Sequence, residues 1–512
     1  MKRNPSLKTT RRVFPPPPVW SDLAAFAAGL LLPLAFAPFN LFPFAVLAPA
    51  LLFVTWLDAS PRRAAFRGLL FGLGMFGLGV SWVYVSMHHF GNMPAPLAAF
   101  VTLLFVAGLS IYPALLGWSQ RRFFPKRGTL HFVLILPSLW VLFEWLRGWL
   151  LTGFPWLDLG YSQVAVSLSG YASWLGVYGV SYFCAVSGGL IVWATQAPGK
   201  FFRLGLPLIL IIWTVGWIAG KTEWVQPAGN PLQVTLIQGN IPIEDKWRPE
   251  KRDAIVNRYL TLSKAADKSD LIIWPESAVP VYLDEIDQQF FDSLRRISQR
   301  KPVDILFGVA ERDKESRRYY NSVVSVGAQP GVYRKRHLVP FGEYPPLEPL
   351  FSWLMQNFRI PMSNFSSGAR AQPPLIAAGQ IIGVSICYED AFGTEMIDAL
   401  PEATLLVNVS EDAWFGDSFA PHQRIQMARM RAIESGRPML RAANTGPSVV
   451  VDYRGQIIAT TPAFQVYSLT TLVQPMQGAT PYVRFGNFPV LILSLIGVAG
   501  GVAYASRRRF SG

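Results

Sequence analysis

The sequence has few charged residues and very few cysteines. Asp, Glu, Lys and Arg make up 15% of its 512 residues, whereas a soluble globular protein averages about 25%. A chain this poor in charge is not expected to be wholly soluble. Its two cysteines, Cys184 and Cys387, are too few for a disulfide framework or a closed zinc site. We therefore expect no metal, no cofactor and no redox role.

Apolar residues, in contrast, are abundant and fall in long runs. Hydrophobic residues make up 51% of the chain, and the mean hydropathy is +0.28. A helix needs about 20 mostly apolar residues to cross a bilayer. The sequence therefore predicts about eight transmembrane helices, although the first two runs are short and could instead form a re-entrant pair. The runs are residues 22–38, 41–57, 68–87, 95–118, 129–146, 170–195, 204–220 and 486–506.

Lys and Arg are concentrated in alternate connections between these runs. Basic residues accumulate in the short cytoplasmic loops of membrane proteins. We therefore expect both termini in the cytoplasm and residues 221–485 on the opposite side, where the short loops carry only Arg147. The basic residues of the predicted cytoplasmic side are Lys2, Arg3, Lys8, Arg11, Arg12, Arg62, Arg63, Arg67, Arg121, Arg122, Lys126, Arg127, Lys200, Arg203, Arg507, Arg508 and Arg509.

The net charge of +14 belongs to the membrane-flanking segments. Residues 221–485 carry 28 basic and 28 acidic side chains and are neutral. Because a nucleic-acid-binding protein concentrates positive charge on its folded domain, we expect no nucleic-acid partner. The predicted organisation is a cytoplasmic tail at 1–21, seven transmembrane helices within 22–220, a water-exposed domain at 221–485, a last transmembrane helix at 486–506 and a tail at 507–512.

The neutral stretch has the pattern of a layered α/β domain, in which short apolar runs alternate with polar, helix-like segments. No GxGxxG or GxxxxGK[ST] motif follows a predicted strand, so we expect no nucleotide site of the common types. Residues 340–372 interrupt the pattern with Pro, aromatics, Met and Leu. They predict either a lid or lipid-contacting arm, or a loop packed on its own domain. The main predicted strands lie at 232–240, 271–277, 303–311, 381–390 and 403–410, and the helices at 249–267, 284–300 and 421–435.

Three polar residues each follow a predicted strand. Glu276 ends the apolar run LIIWP, Lys335 follows GVYR, and Cys387 follows IIGVSI. Strand ends are where an α/β sheet tends to present its active site. A carboxylate, an ammonium and a thiol that converge there can serve as base, oxyanion stabiliser and nucleophile.

These residues resemble a known superfamily. Glu, Lys and Cys in this order are the signature of the nitrilase (carbon–nitrogen hydrolase) superfamily. With the predicted membrane spans, the chain looks like a member of the apolipoprotein N-acyltransferase family of the bacterial inner membrane. One departure is Glu411, where an Asn is expected. The motifs that carry the resemblance are LTGFPWLDLGYSQ (151–163), LIIWPES (271–277), HLVPFGEYPP (337–346), ICYED (386–390) and DAWFGD (412–417) with PHQ (421–423).

The resemblance implies an αββα sandwich in the periplasm and a ping-pong acyl transfer. Cys387 would take the sn-1 acyl chain of a phospholipid, typically phosphatidylethanolamine, as a thioester. The α-amino group of an N-terminal S-diacylglyceryl-cysteine on an apolipoprotein would then accept it, which completes lipoprotein maturation. Glu276 would act as base and Lys335 as oxyanion stabiliser, and we expect a monomer. The resemblance assigns supporting or substrate-binding roles to Glu343, Tyr388, Glu389 and Trp247.

Two other functions fit parts of the pattern. The domain could be a membrane-tethered amidase or nitrile hydrolase with water as the second nucleophile, although such an enzyme has no need of an apolar arm. A transporter or receptor is a third possibility, but transporters place ionisable residues inside their spans. Here Glu144 and Arg147 lie near a span end, and we expect an i,i+3 pair that anchors the loop at 147–163.

Overall fold

A computed structural model describes residues 18–124, 128–300, 303–344 and 364–510. Helices occupy most of the first 219 residues, an α/β domain follows, and a last helix, Phe488–Phe510, ends the described chain. The predicted apolar arm at 340–372 falls largely outside the described residues. The N-terminal tail before residue 18 lies outside them as well.

Each apolar run predicted before residue 221 contains a helix. Within the described residues, three helices are long and apolar enough to cross a membrane: Ala95–Phe123, Ser167–Gln196 and Pro198–Ala219. Pro61–Gly79 with Trp82–Phe90 makes a fourth if this pair, bent by 51°, counts as one span. The α-helices of this region are Pro18–Leu31, Phe44–Trp56, Pro61–Gly79, Trp82–Val85, Ala95–Phe123, Leu136–Arg147, Ala172–Gln196, Pro198–Lys200 and Leu206–Ala219.

Small residues let two of these helices approach closely. A Cβ added at Gly72 of the Pro61–Gly79 helix would lie 2.7 Å from the Cα of Ser110 in the Ala95–Phe123 helix. Only glycine therefore fits at this crossing, as expected for helices that pack through small residues in a membrane. Ser60 caps the first of the two helices, since its side chain accepts a hydrogen bond from the N–H of Arg63.

The α/β domain contains two large sheets. Their strands are β2 Leu232–Gln238, β3 Leu271–Ile273, β4 Val279–Tyr282, β5 Asp304–Asp313, β6 Arg318–Val326, β7 Gly331–Arg334, β8 Leu375–Ala377, β9 Gln380–Ile386, β10 Leu405–Ser410, β11 Met439–Ala443, β12 Val449–Val451, β13 Ile457–Thr460 and β14 Tyr467–Val473. The first sheet has the strand order β14-β2-β3-β5-β6-β7, with β4 paired to β5, and the second has the order β13-β12-β11-β10-β9-β8. A small third sheet pairs β1 Val225–Pro227 with β15 Met476–Gly478.

Alternating side chains build four layers from these sheets. In β3, Leu271 and Ile273 join the core between the two sheets, whereas Ile272 joins the core beneath helices. Val407 and Leu406 of β10 divide in the same way. The predicted αββα sandwich is therefore the observed fold. Its outer helices are Arg252–Ala265 and Gln288–Arg300 on one side and Phe419–Ser435 on the other.

Candidate active site

The two sheets bring the three predicted catalytic residues together. Glu276 follows β3 and Lys335 follows β7 in one sheet, while Cys387 follows β9 in the other. The Nζ of Lys335 lies 3.8 Å from Oε1 of Glu276. The charges of both groups act on the thiol of Cys387. Strand ends from facing sheets thus gather an acid–base group, a cation and a thiol at one place.

The Glu276 carboxylate is held at both oxygens. Its Oε1 accepts a hydrogen bond from Asn321 Nδ2 at 2.7 Å, and its Oε2 accepts one from the backbone N–H of Glu411 at 2.8 Å. The backbone beneath it lies against Gly308, where an added Cβ would be 2.6 Å from the Cα of Glu276. A larger residue at Gly308 would displace Glu276.

Lys335 lies in a buried cluster of carboxylates. Its Nζ donates to Oε1 of Glu343 at 2.9 Å, and the same oxygen accepts from Asn321 Nδ2 at 3.1 Å. Burial alone would lower the pKa of Lys335, but Glu343, Glu276 and Cys387 raise it above its usual value. The lysine therefore remains charged at neutral pH. Glu343, to which the resemblance assigns a supporting or substrate-binding role, is thus in direct contact with Lys335.

Cys387 begins a tight 3₁₀ turn, Cys387–Ala391, at the end of β9. Its φ of +49° is left-handed, a conformation that costs energy for a non-glycine residue and is common at functional sites. Burial and the charge of Glu276 raise the pKa of the Cys387 thiol to about 11, and Arg424 and Lys335 act in the opposite direction. The resting sulfur is therefore a protonated thiol at neutral pH, and a base must remove its proton before it can attack.

Glu389 holds the turn and the segment after β7 together. One of its oxygens accepts from the N–H groups of Arg336 and His337 at 2.8 and 3.1 Å. The other accepts from the N–H of Ile386 at 2.7 Å, and the hydroxyl of Tyr333 donates to both. Burial raises the pKa of Glu389, while these donors favour its charged form. Its geometry supports a positioning role.

Tyr388 joins the turn that carries the predicted nucleophile (the nucleophile turn, Cys387–Ala391) to the helical region. Its hydroxyl donates to the carbonyl oxygen of Gly153 at 2.8 Å. Its ring stacks on Trp156, with 6.1 Å between centroids and 17° between planes. Both partners belong to the loop that precedes the Ala172–Gln196 helix. The motif at 151–163, to which the sequence assigned no role, therefore contacts the turn that carries Cys387.

The anchoring of that loop differs from the prediction. Arg147 pairs with Asp158 at 2.5 Å and donates to the carbonyl oxygen of Phe154 at 3.2 Å. Glu144 does not form the predicted contact with Arg147; its Oε1 instead accepts from the N–H of Leu159 at 2.9 Å. The two residues anchor the loop as expected, but through separate partners.

Trp247 is placed differently from the other predicted residues, because its side chain is 52% exposed. Its neighbour Lys246 is 1% exposed, donates to the carbonyl oxygen of Glu276 at 3.1 Å and pairs with Glu411. Sequence reasoning missed Lys246 and assigned no role to Glu411. The sequence offered one signal for this pair. A carboxylate stands at position 411, where an Asn is expected, and a carboxylate that is buried requires a buried partner.

Arg424 is the second residue that the sequence did not reveal. It lies in the Phe419–Ser435 helix, and its Nη1 donates to the Sγ of Cys387 at 3.2 Å. The sequence contained one weak signal for it: Arg424 directly follows the PHQ motif at 421–423. Within the described residues, this guanidinium is the cation that donates a hydrogen bond to the sulfur of the predicted nucleophile.

Comparisons with known proteins agree with this architecture. The family model "Apolipoprotein N-acyltransferase N-terminal domain" matches residues 28–190, and the model "Carbon-nitrogen hydrolase" matches residues 233–482. The apolipoprotein N-acyltransferase of Methylococcus capsulatus is 46% identical, over 95% of this chain and 96% of the relative. That of Nitrosomonas europaea is 44% identical, over 95% of this chain and 98% of the relative. Because both relatives match nearly the whole length of this chain, it belongs to the apolipoprotein N-acyltransferase family.

Proposed function

We propose that this acyltransferase moves the sn-1 acyl chain of a phospholipid to the α-amino group of the N-terminal S-diacylglyceryl-cysteine of apolipoproteins, through a thioester on Cys387. Phosphatidylethanolamine is the proposed donor. Family membership supports the class of reaction. The observation that carries the site is the meeting of Glu276, Lys335 and Cys387 at strand ends of two facing sheets.

In the first half-reaction, Glu276 takes the proton of the Cys387 thiol and the sulfur attacks the ester carbonyl carbon. As the C–S bond forms, the carbonyl electron pair moves to oxygen. Lys335 and the N–H of Tyr388 stabilise this oxyanion, and one such donor contributes about 10²–10³ in rate. The ester C–O bond then breaks, Glu276 returns the proton to the leaving oxygen, and a lysophospholipid departs.

In the second half-reaction, the α-amino group of the acceptor attacks the thioester carbonyl. Glu276 takes a proton from the nitrogen as the C–N bond forms. The C–S bond then breaks, and the sulfur leaves as a thiolate that recovers the proton. Hydrogen bonds at both carboxylate oxygens keep Glu276 in one orientation, as a base that serves two nucleophiles requires.

We propose an inner-membrane protein with eight transmembrane helices and the boundaries predicted from the sequence, 22–220 and 486–506, around a periplasmic domain at 221–485. Helices in every predicted run and the one-sided basic residues support this arrangement.

The loop after the Leu136–Arg147 helix supports a lipid donor, because it exposes large apolar side chains close in sequence to a residue that contacts the site. Trp149 is 51% exposed and Leu151 is 83% exposed, close in sequence to Gly153, which contacts Tyr388.

The test is to incubate the full chain in detergent micelles with phosphatidylethanolamine that carries a labelled sn-1 chain. The proposal expects one acyl increment on the peptide that contains Cys387. A diacylglyceryl-cysteine peptide should then remove it and become N-acylated. Cys184→Ser should keep the adduct and Cys387→Ser should lose it. An adduct in Cys387→Ser would refute the proposed nucleophile, and free fatty acid without N-acylated peptide would indicate a hydrolase.

A further inference from the structure

The Arg424 side chain is buried, and hydrogen bonds from both of its Nη atoms hold it in one orientation. It is buried in the second turn of the Phe419–Ser435 helix, which Ser418 caps. Its Nη2 donates to the carbonyl oxygen of Cys387 at 2.5 Å and to Oδ1 of Asp390 at 2.8 Å. The other nitrogen, Nη1, donates to the Sγ of Cys387 at 3.2 Å. The planar fork is thus fixed on one side while its other arm lies against the sulfur.

A purely structural ion pair does not account for this geometry. Burying a guanidinium is costly unless a carboxylate pairs with it, and Asp390 meets that need. Asp390 also lies 4.0 Å from Arg441, which pairs with Asp412 at 2.8 Å. These two arginines and two aspartates balance in charge. The arm of Arg424 that lies against the sulfur is therefore not needed to satisfy the carboxylates.

We propose that Arg424 is a further catalytic residue, whose Nη1 stabilises the Cys387 thiolate each time it forms. The inference rests on the proposed function for its place in the reaction. The thiolate forms first when Glu276 takes the thiol proton, and again when the C–S bond of the second tetrahedral intermediate breaks. Lys335 stabilises the charge on the substrate oxygen, and Arg424 stabilises the charge on sulfur.

The groups that set the charge at this sulfur come from several elements. Burial and Glu276 raise the pKa of Cys387, whereas Arg424 and Lys335 lower it. Removing one cation 3.2 Å from the sulfur should therefore leave less thiolate at any pH below that pKa. The charged groups concerned are Glu276 after β3, Lys335 after β7, Asp390 in the nucleophile turn, Asp412 after β10, Arg424 in its helix and Arg441 in β11.

The test measures how fast iodoacetamide, which reacts with the thiolate, alkylates Cys387 in a Cys184→Ala background. Lys and Met are similar in length but differ in charge. We therefore expect Arg424→Met to react about tenfold or more slowly than wild type, and Arg424→Lys to fall between them. Mass spectrometry assigns the modified peptide. Arg431, a buried arginine of the same helix paired with Glu434 at 3.1 Å, offers the matched control. Its Lys and Met variants should react alike.

Equal alkylation rates in Arg424→Lys and Arg424→Met would overturn the inference, because an effect of access or packing does not distinguish charge. If Arg424→Met fails to fold, both substitutions are made with Asp390→Asn, which leaves no unpaired carboxylate, and the same difference is expected. Failure of wild type to form an acyl-enzyme would refute the proposed function instead. The ratio of the two alkylation rates does not depend on that result.

Discussion

The helical region and the α/β domain each contain one cysteine, and the two thiols have opposite surroundings. Cys184 is buried in the middle of the Ala172–Gln196 helix, where its Sγ donates to the carbonyl oxygen of Ala45 at 3.3 Å. Cys387 lies in a left-handed turn, against a guanidinium. The same side chain is a packing group in one region and a candidate nucleophile in the other. Backbone geometry and neighbouring charge, not residue type, make the difference.

Buried charges in the two regions differ in the same way. In the helical region, Arg147 binds Asp158 and backbone carbonyls, so its hydrogen bonds hold a loop in place. In the α/β domain, the cations Lys335 and Arg424 also reach groups around the sulfur of Cys387. Substituting a charge such as Arg147 should therefore change the stability of the fold most, whereas substituting Lys335 or Arg424 should change the reaction rate.

The largest expected effect separates the two cysteines. Cys387→Ala removes the nucleophile, and we expect acyl transfer to fall by about 10⁴-fold or more. Cys184→Ala should leave the rate within about twofold, because its contacts share no partner with the site. Transfer from labelled phospholipid to a lipid-cysteine peptide measures both. A large loss in Cys184→Ala alone would end the distinction between the two regions.

The second effect concerns stability in the helical region. Arg147→Met leaves Asp158 buried without its cation, and breaking a buried pair costs about 3–5 kcal/mol. We expect a clear drop in the apparent Tm of the full chain in detergent. Adding Asp158→Asn should recover much of that loss, because no carboxylate is then left unpaired. If the double variant is no more stable than Arg147→Met, the ion pair is not the source of the effect.

The fold could be predicted where local patterns determine it. The strands that carry Glu276 and Cys387 are continuous apolar runs, and the structure contains them. The pattern gave no sign of β14, Tyr467–Val473, because its residues are half-exposed and it pairs with the distant β2. An edge strand of this kind depends on long-range pairing, which periodicity alone does not report.

The same limit applies to the site. Strand ends indicated Glu276, Lys335 and Cys387, because a sheet places such residues at one edge. Arg424 belongs to a helix, where an arginine normally points to solvent, and only the packing of that helix brings it to the sulfur. Lys246 is comparable, since its pairing with Glu411 depends on segments far apart in sequence.

Lys335→Met should have the third-largest effect, a loss of about 10²–10³ in the rate of acyl-enzyme formation, because the oxyanion loses a charged donor. The double variant Lys246→Met with Glu411→Gln offers a control. It removes the other buried ammonium near Glu276, which contacts only a backbone carbonyl of that residue. Its loss should be much smaller. Equal losses would mean that general electrostatics near Glu276, and not the position of Lys335, sets the rate.

The smallest expected effect tests the contact between the two regions. Tyr388→Phe removes the hydroxyl that donates to Gly153 and keeps the ring on Trp156. A neutral hydrogen bond contributes about 1 kcal/mol, so we expect acyl-enzyme formation to slow by about fivefold. Tyr453→Phe removes an exposed hydroxyl that contacts Glu223 and should have no effect. If the loop at 147–163 positions the turn, Arg147→Met should slow the folded enzyme as well as destabilise it. Combining Tyr388→Phe with Arg147→Met should then slow the reaction less than the product of the two single losses, since both act through the same loop. Independent effects would mean that the turn holds Cys387 without help from the helical region.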